Sequence, residues 1–155
     1  MNKNRELIAI LRGLTRDRCV VVSEILIAEG FSKLEVPLNS PNPMETIAEM
    51  QKKFGASVII GAGTVTNVRE VSELSNLGCQ MIVSPNTDTE VIKATKNEGM
   101  LSLPGAFTPS ECFSAINSAA DGLKIFPAFK LGVKGFKALK AVLPNNLKTY
   151  AVGGI

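Results

Sequence analysis

The 155-residue chain predicts an α/β fold of the (β/α)8, TIM-barrel type, carried here through about seven strands. Three observations predict it. Short apolar runs alternate strictly with segments of helical period, which calls for parallel strands joined by right-handed crossovers. The runs lack strong polar alternation, as expected of strands covered on both faces. Polar or special residues recur where each strand finishes. The first two observations fit an open doubly wound sheet equally well. The third favours a barrel, which gathers all its carboxyl strand ends into one site, whereas an open sheet concentrates chemistry at a switch point.

The elements follow in order. Leu7-Ile8-Ala9-Ile10-Leu11 reads as a first strand, ending at Arg12-Gly13. Thr15 is placed to cap a helix over 15–29 that Gly30 ends. A second strand, Lys33-Leu34-Glu35-Val36-Pro37, leads to a helix over 44–54. Ser57-Val58-Ile59-Ile60-Gly61 precedes a helix over 67–77, with Gly78 past its end. Met81-Ile82-Val83-Ser84-Pro85 precedes a helix over 88–97, and Leu101-Ser102-Leu103-Pro104 is the fifth strand. Thr108-Pro109-Ser110-Glu111 has Pro at the first helical position and Glu two later, a capping-box start. Leu123-Lys124-Ile125-Phe126-Pro127 is the sixth strand, a helix over 134–142 follows, and Tyr150-Ala151-Val152-Gly153 is the seventh. A complete barrel needs eight strands and usually more than about 200 residues. The reading is therefore one barrel domain, 1–155, with its C-terminal quarter missing.

Composition bounds the chemistry. With 45% hydrophobic residues the chain can bury a sizeable core. Its net charge of +3 comes from 17 basic and 14 acidic residues that are scattered. That pattern argues against nucleic acid and membrane partners and leaves room for a small phosphorylated or carboxylated substrate. Cys19, Cys79 and Cys112 are too widely spaced for a zinc site or disulfide framework, and suit a reducing cytoplasm. No apolar run approaches the roughly 18 residues of a transmembrane helix, and the start, Met1 to Glu6, carries no signal-peptide core. There is no histidine, so His-based acid–base work, His-ligated metals and Ser-His triads are excluded.

Lys124 and Glu35 carry the candidate chemistry. Each lies inside an apolar strand, and strand alternation turns each toward one face. A poorly solvated lysine favours its neutral amine, which can attack a carbonyl to form a Schiff base. Taken alone, Lys124 reads more readily as a buried stem with a snorkelling head, or as half of a buried ion pair with Glu35. Arg12 offers a fork for a carboxylate and Thr64 a hydroxyl donor. Gly63 allows backbone to approach a ligand closely. Gly153-Gly154 stands where many barrels hold phosphate on backbone amides. Arg12, Glu35, Thr64 and Lys124 are expected to converge on one cavity.

Six segments, in order across nearly the whole chain, make it recognisable. They are Ile8-Ala9-Ile10-Leu11-Arg12-Gly13, Glu35-Val36-Pro37-Leu38-Asn39-Ser40-Pro41, Gly61-Ala62-Gly63-Thr64-Val65, Val83-Ser84-Pro85-Asn86, Leu123-Lys124-Ile125-Phe126-Pro127 and Ala151-Val152-Gly153-Gly154. The chain resembles the class I aldolases acting on 2-keto-3-deoxy-6-phosphosugar acids. The resemblance implies a cytoplasmic homotrimer of (β/α)8 barrels that uses no metal and no cofactor. It implies Lys124 as the Schiff-base lysine and Glu35 as the general acid and base. Arg12 and Thr64 fall where the family holds the keto-acid carboxylate, Pro85 and Pro104 line the pocket, and Phe126 packs by the imine. Gly153 and Gly154 fall on the first half of the phosphate site; the Gly-Ser loop after an eighth strand is absent.

Gluconate-type members carry an Arg-Thr pair after the strand-two glutamate and a Thr before the late Gly-Gly. Here Asn39-Ser40 and Val152 hold those places, so Asn39 and Val152 are read as specificity positions. They resemble the galactonate-type branch, whose reaction splits 2-dehydro-3-deoxy-6-phosphogalactonate into pyruvate and D-glyceraldehyde 3-phosphate. The gluconate-type and 4-hydroxy-2-oxoglutarate activities of the family stay open. So do a metal-free phosphosugar isomerase or epimerase on the same barrel, and an inactive barrel that only binds ligands or partners. Trapping with pyruvate and borohydride separates the aldolase readings from these last two.

Overall fold

The computed structural model describes residues 6–154. The reading of Met1 to Arg5 lies outside the described residues. The order is β1 (Ala9–Ile10), α1 (Arg16–Ala28), β2 (Lys33–Pro37), α2 (Pro43–Phe54), β3 (Ile59–Gly63), α3 (Val68–Asn76), β4 (Met81–Val83), α4 (Thr89–Asn97), β5 (Leu101–Leu103), β6 (Gly105–Ala106), α5 (Pro109–Asn117), β7 (Gly122–Ile125), α6 (Ala128–Lys140) and β8 (Lys148–Ala151). Every strand pairing is parallel, in the orders β1-β2-β3-β4-β5 and β6-β7-β8.

β5 and β6 are two halves of one extended segment interrupted at Pro104, which has no N–H to give to a ladder. β7 bonds across the break: Asp121 N–H donates to Ser102 O (3.0 Å), Lys124 N–H to Pro104 O (2.9 Å) and Phe126 N–H to Ala106 O (3.1 Å). The two sheets are thus one parallel wall whose strands neighbour each other in chain order. A doubly wound sheet must reverse that order at its switch point, so the barrel reading holds. Gly105–Ala106 was not foreseen as strand.

Three apolar clusters fill the structure. One packs α1, α2 and α3 on the outside of β2 and β3, around Leu34, Val36, Ile47, Met50, Ile60 and Leu74. A second joins α5 and α6 to β7 through Cys112, Ala115, Leu123, Ile125 and Leu139. The third lies inside the wall and is small: Met81, Val83 and Leu103, flanked by Ile8, Ile59 and Tyr150. The inner layer leaves room for polar groups, and that is where the site forms.

The helix starts follow their caps. Asn67 accepts from Glu70 N–H, Asp88 from Glu90 and Val91 N–H, and Thr108 forms a full capping box with Glu111. Thr15 stands at the cap of α1, but its side chain makes no capping bond. α6 is two helical pieces that meet at Gly132: the second is the helix expected over 134–142, and the first, from Ala128, was not foreseen. Its first N–H groups, from Ala128 and Phe129, donate to Val152 O (2.8 Å) and Gly153 O (3.1 Å). Carbonyls beyond β8 thus do a cap's work, and Gly132, at φ +65°, kinks the helix. No described helix is long and apolar enough to cross a membrane.

Candidate active site

Register sets the inner face. Ile10 pairs with Glu35, Glu35 with Gly61, and Gly61 with Met81; Gly105 pairs with Lys124, and Lys124 with Tyr150. Opposite residues share a face, so Glu35 and Lys124 both point inward from well-separated strands. Both are buried, at 2% and 8% exposure. Together with Val152, Gly153 and Gly154 they line a cavity of about 430 Å³, with Val83 and Leu103 on its apolar wall.

No salt bridge joins the two among the described residues. Glu35 Oε2 is buried without a hydrogen-bond partner. Burial pushes the Glu35 carboxyl up to about 7, against the opposing pull of Lys124 and then Arg12. Burial likewise holds the Lys124 amine below its ordinary value, opposed by Glu35 and aided by Arg12. The pair therefore couples an amine displaced toward its nucleophilic form to a carboxyl poised to give or take a proton near neutrality. That is a different arrangement from a closed structural ion pair.

The other expected residues distribute unevenly. Phe126 places its ring 4.9 Å from Lys124 Nζ. Gly153, at φ +91°, packs on that ring; a Cβ there would lie 3.1 Å from it. Pro104 is buried and receives the Lys124 N–H. Half-buried Pro85 puts its carbonyl against Gly105, opposite Lys124. Gly63 is buried beneath the Glu35 carboxyl.

Arg12 and Thr64, which were expected to converge with Glu35 and Lys124, are not among the residues lining this cavity. Arg12 lies past the end of β1 in an exposed turn and borders an adjoining groove with Leu14 and Arg18. Its charge nevertheless acts on both Glu35 and Lys124. Thr64 follows β3 at φ +60°, a left-handed conformation uncommon for a β-branched residue, and the chain turns away there. Asn39 is exposed and also stands off the wall, whereas Val152 lies on it.

Two features escaped the sequence. Ser40 Oγ accepts the Gly13 N–H at 3.1 Å, tying the turn that bears Arg12 to the loop after β2. Glu6 enters the same cavity and gathers Lys148 Nζ (3.0 Å), Lys33 Nζ (3.1 Å) and the Tyr150 hydroxyl (2.9 Å). Those donors hold the Glu6 carboxyl down at about 2. Alternation does put Lys33 on the face of Glu35, two residues on; nothing local pairs it with Glu6. No cluster of metal-ligating side chains occurs among the described residues.

Comparison with known proteins identifies the family. The model of the aldolase family described as KDPG and KHG aldolase matches residues 1–155. A probable 2-dehydro-3-deoxy-6-phosphogalactonate aldolase of Rhizobium meliloti (strain 1021) is 45% identical over 151 residues, 97% of this chain and 71% of the relative. The 2-dehydro-3-deoxy-6-phosphogalactonate aldolase of Escherichia coli (strain K12) is 44% identical over 149 residues, 96% of this chain and 73% of the relative. A solved structure described as native KDPGal superposes with a TM-score of 0.96 at 42% identity, covering 100% of this chain and 75% of the other. With the family match spanning every residue from 1 to 155, the chain belongs to the KDPG and KHG aldolase family.

Proposed function

We propose that this chain is a class I aldolase that reversibly cleaves 2-dehydro-3-deoxy-6-phosphogalactonate to pyruvate and D-glyceraldehyde 3-phosphate. The observation that carries the reading is the convergence of Lys124 and Glu35, both buried and unbridged, on one cavity. The substrate rests on the galactonate aldolases among the relatives.

In this reading the Lys124 amine adds to the C2 ketone to give a carbinolamine. Glu35, part-protonated near neutral pH, donates the proton with which that hydroxyl leaves as water. The protonated imine that remains is an electron sink. Glu35, now a carboxylate, takes the C4 hydroxyl proton directly or through a water. The C3–C4 bonding pair moves to C3 as the imine becomes an enamine, and glyceraldehyde 3-phosphate departs. Protonation at C3 and hydrolysis return pyruvate and the free amine. Arg12 and Thr64, just past the carboxyl ends of β1 and β3, hold the substrate carboxylate. Pro85, Pro104 and Phe126 shape the imine pocket. Backbone amides at Gly153 and Gly154 receive the phosphate, while Val152 and Asn39 bear on stereochemical choice. Each subunit is a single barrel domain, three assemble into a homotrimer, and the free buried cysteines suit a reducing cytoplasm.

Incubation with pyruvate and borohydride, followed by peptide mapping, tests the reading. An adduct on Lys124 is expected. An adduct on another lysine, or none in folded protein, overturns it.

A further inference from the structure

Gly63 ends β3 without a left-handed φ, so its backbone does not call for glycine. The space above it does. A Cβ built on Gly63 would fall on Glu35 Oε2 and lie 2.6 Å from Glu35 Cδ and 2.7 Å from Oε1. All three carboxyl atoms therefore rest on the face that a side chain would occupy. Gly61 differs: a Cβ there would meet Met81 Cε at 2.7 Å and Met81 O at 2.8 Å, with no atom of Glu35 among its nearest neighbours.

Register explains the lean. Glu35 pairs with Gly61 and Pro37 with Gly63, so the Glu35 side chain reaches diagonally along the inner face, toward the carboxyl end of β3. No hydrogen bond to Oε2 fixes the carboxyl there. Its place is set by packing against bare backbone.

We propose that Gly63 is the positioning residue for Glu35: its missing side chain is the seat that holds the carboxyl against β3, on the wall it shares with Lys124. The inference rests on the reading of Glu35 as the proton carrier. Because the obstructed atoms are the free end of a flexible side chain, a methyl group at 63 turns the carboxyl out while the strand stays in place. An outward carboxyl meets more water and loses part of the desolvation that raises it.

The test is Gly63→Ala in the whole protein. Turnover should fall about 10- to 100-fold, in keeping with the cost of small misplacements of a catalytic group. The acidic limb of the pH–rate profile should move down, and carbon-13 titration of the Glu35 carboxyl should give a value below the wild-type one. Added to Glu35→Gln, Gly63→Ala should cost less than about twofold, since residues acting as one unit are non-additive. Should Gly63→Ala fail to fold, Glu35→Ala in the same chain should restore folding by removing the obstruction. Unchanged turnover and titration in Gly63→Ala, multiplicative losses in the double variant, or no rescue by Glu35→Ala each overturn the proposal. Failure of the aldolase reading is seen separately, as no pyruvate adduct on wild-type Lys124; the carboxyl titration still decides the role of Gly63.

Discussion

Two glutamates border the same cavity, and their carboxyls are held about five units apart. Glu6, before β1, lies at about 2; Glu35, in the middle of β2, lies at about 7. Glu6 is half exposed, with a side-chain exposure of 52%, and takes bonds from two amines and a phenol. Glu35 is 2% exposed and its Oε2 has no partner. Partners without burial favour the charged form; burial without partners favours the neutral one. The lower end of the barrel is thereby built as a clasp between β8 and β2, while the middle is built for proton transfer. Among the amines, Lys33 and Lys148 each bond the Glu6 carboxylate, whereas Lys124 is in no salt bridge among the described residues and has the Phe126 ring 4.9 Å from its Nζ.

The largest effect expected from breaking this contrast is at Lys124. Lys124→Arg keeps a cation but removes the nucleophile, because a guanidinium stays charged. Turnover should vanish and no borohydride adduct should form; residual turnover above about a thousandth of wild type would count against Lys124.

Glu35→Gln comes next, with turnover down about 10²–10⁴-fold in a folded protein. Its stability is as informative. Because the folded-state value is raised from 4.5 to about 7, native protein binds more protons than unfolded protein between those limits. Wild-type stability should therefore carry a contribution that is complete below pH 4.5 and lost as pH rises through 7. Glu35→Gln should lack that loss and be the more stable at pH 8, by ~1–3 kcal/mol in urea unfolding. Equal pH slopes for the two proteins would mean that Glu35 is solvated.

Glu6→Gln should act in the opposite sense and more weakly. The lowered Glu6 value means that its contribution is present above pH 4.5 and lost as pH falls toward 2. The variant should unfold earlier in urea at pH 6, converge with wild type near pH 2, and narrow the difference in salt. A salt-independent difference would place the effect in packing.

The smallest change is expected for Phe126→Leu, which removes the ring beside the amine. Losing a cation–π contact of ~0.5–1 kcal/mol favours the neutral amine slightly. The pH at which the pyruvate adduct forms to half its maximum should shift down by a fraction of a unit, with turnover within about tenfold. An upward shift would contradict contact of the ring with the ammonium.

Much of this is legible in the sequence alone. Strand–helix alternation and the chemistry at strand ends are local signals, and they gave the barrel. Alternation also put Glu35 and Lys124 on one face each, because a strand's period is two whatever surrounds it. The first turn of α6 was not legible: its cap is supplied by Val152 and Gly153, more than twenty residues later, and Gly132, at φ +65°, separates it from the helix that the local pattern shows. Nor was the splitting of the fifth strand at Pro104, since the continuation in Gly105–Ala106 depends on pairing with β7.

By itself, then, the sequence determined the barrel class, the absence of histidine chemistry, and which strands carry an inward acid and an inward amine. Those follow from short-range periodicity and composition. Only the tertiary structure decided how each charge behaves. Glu6 meets Lys148 and Tyr150 across separations of 142 and 144 residues, and Glu35 rests on Gly63 through the register of two strands. Whether a carboxyl finds donors or bare backbone is set by which distant segments close around it, and that is a property of chain closure that no local pattern carries.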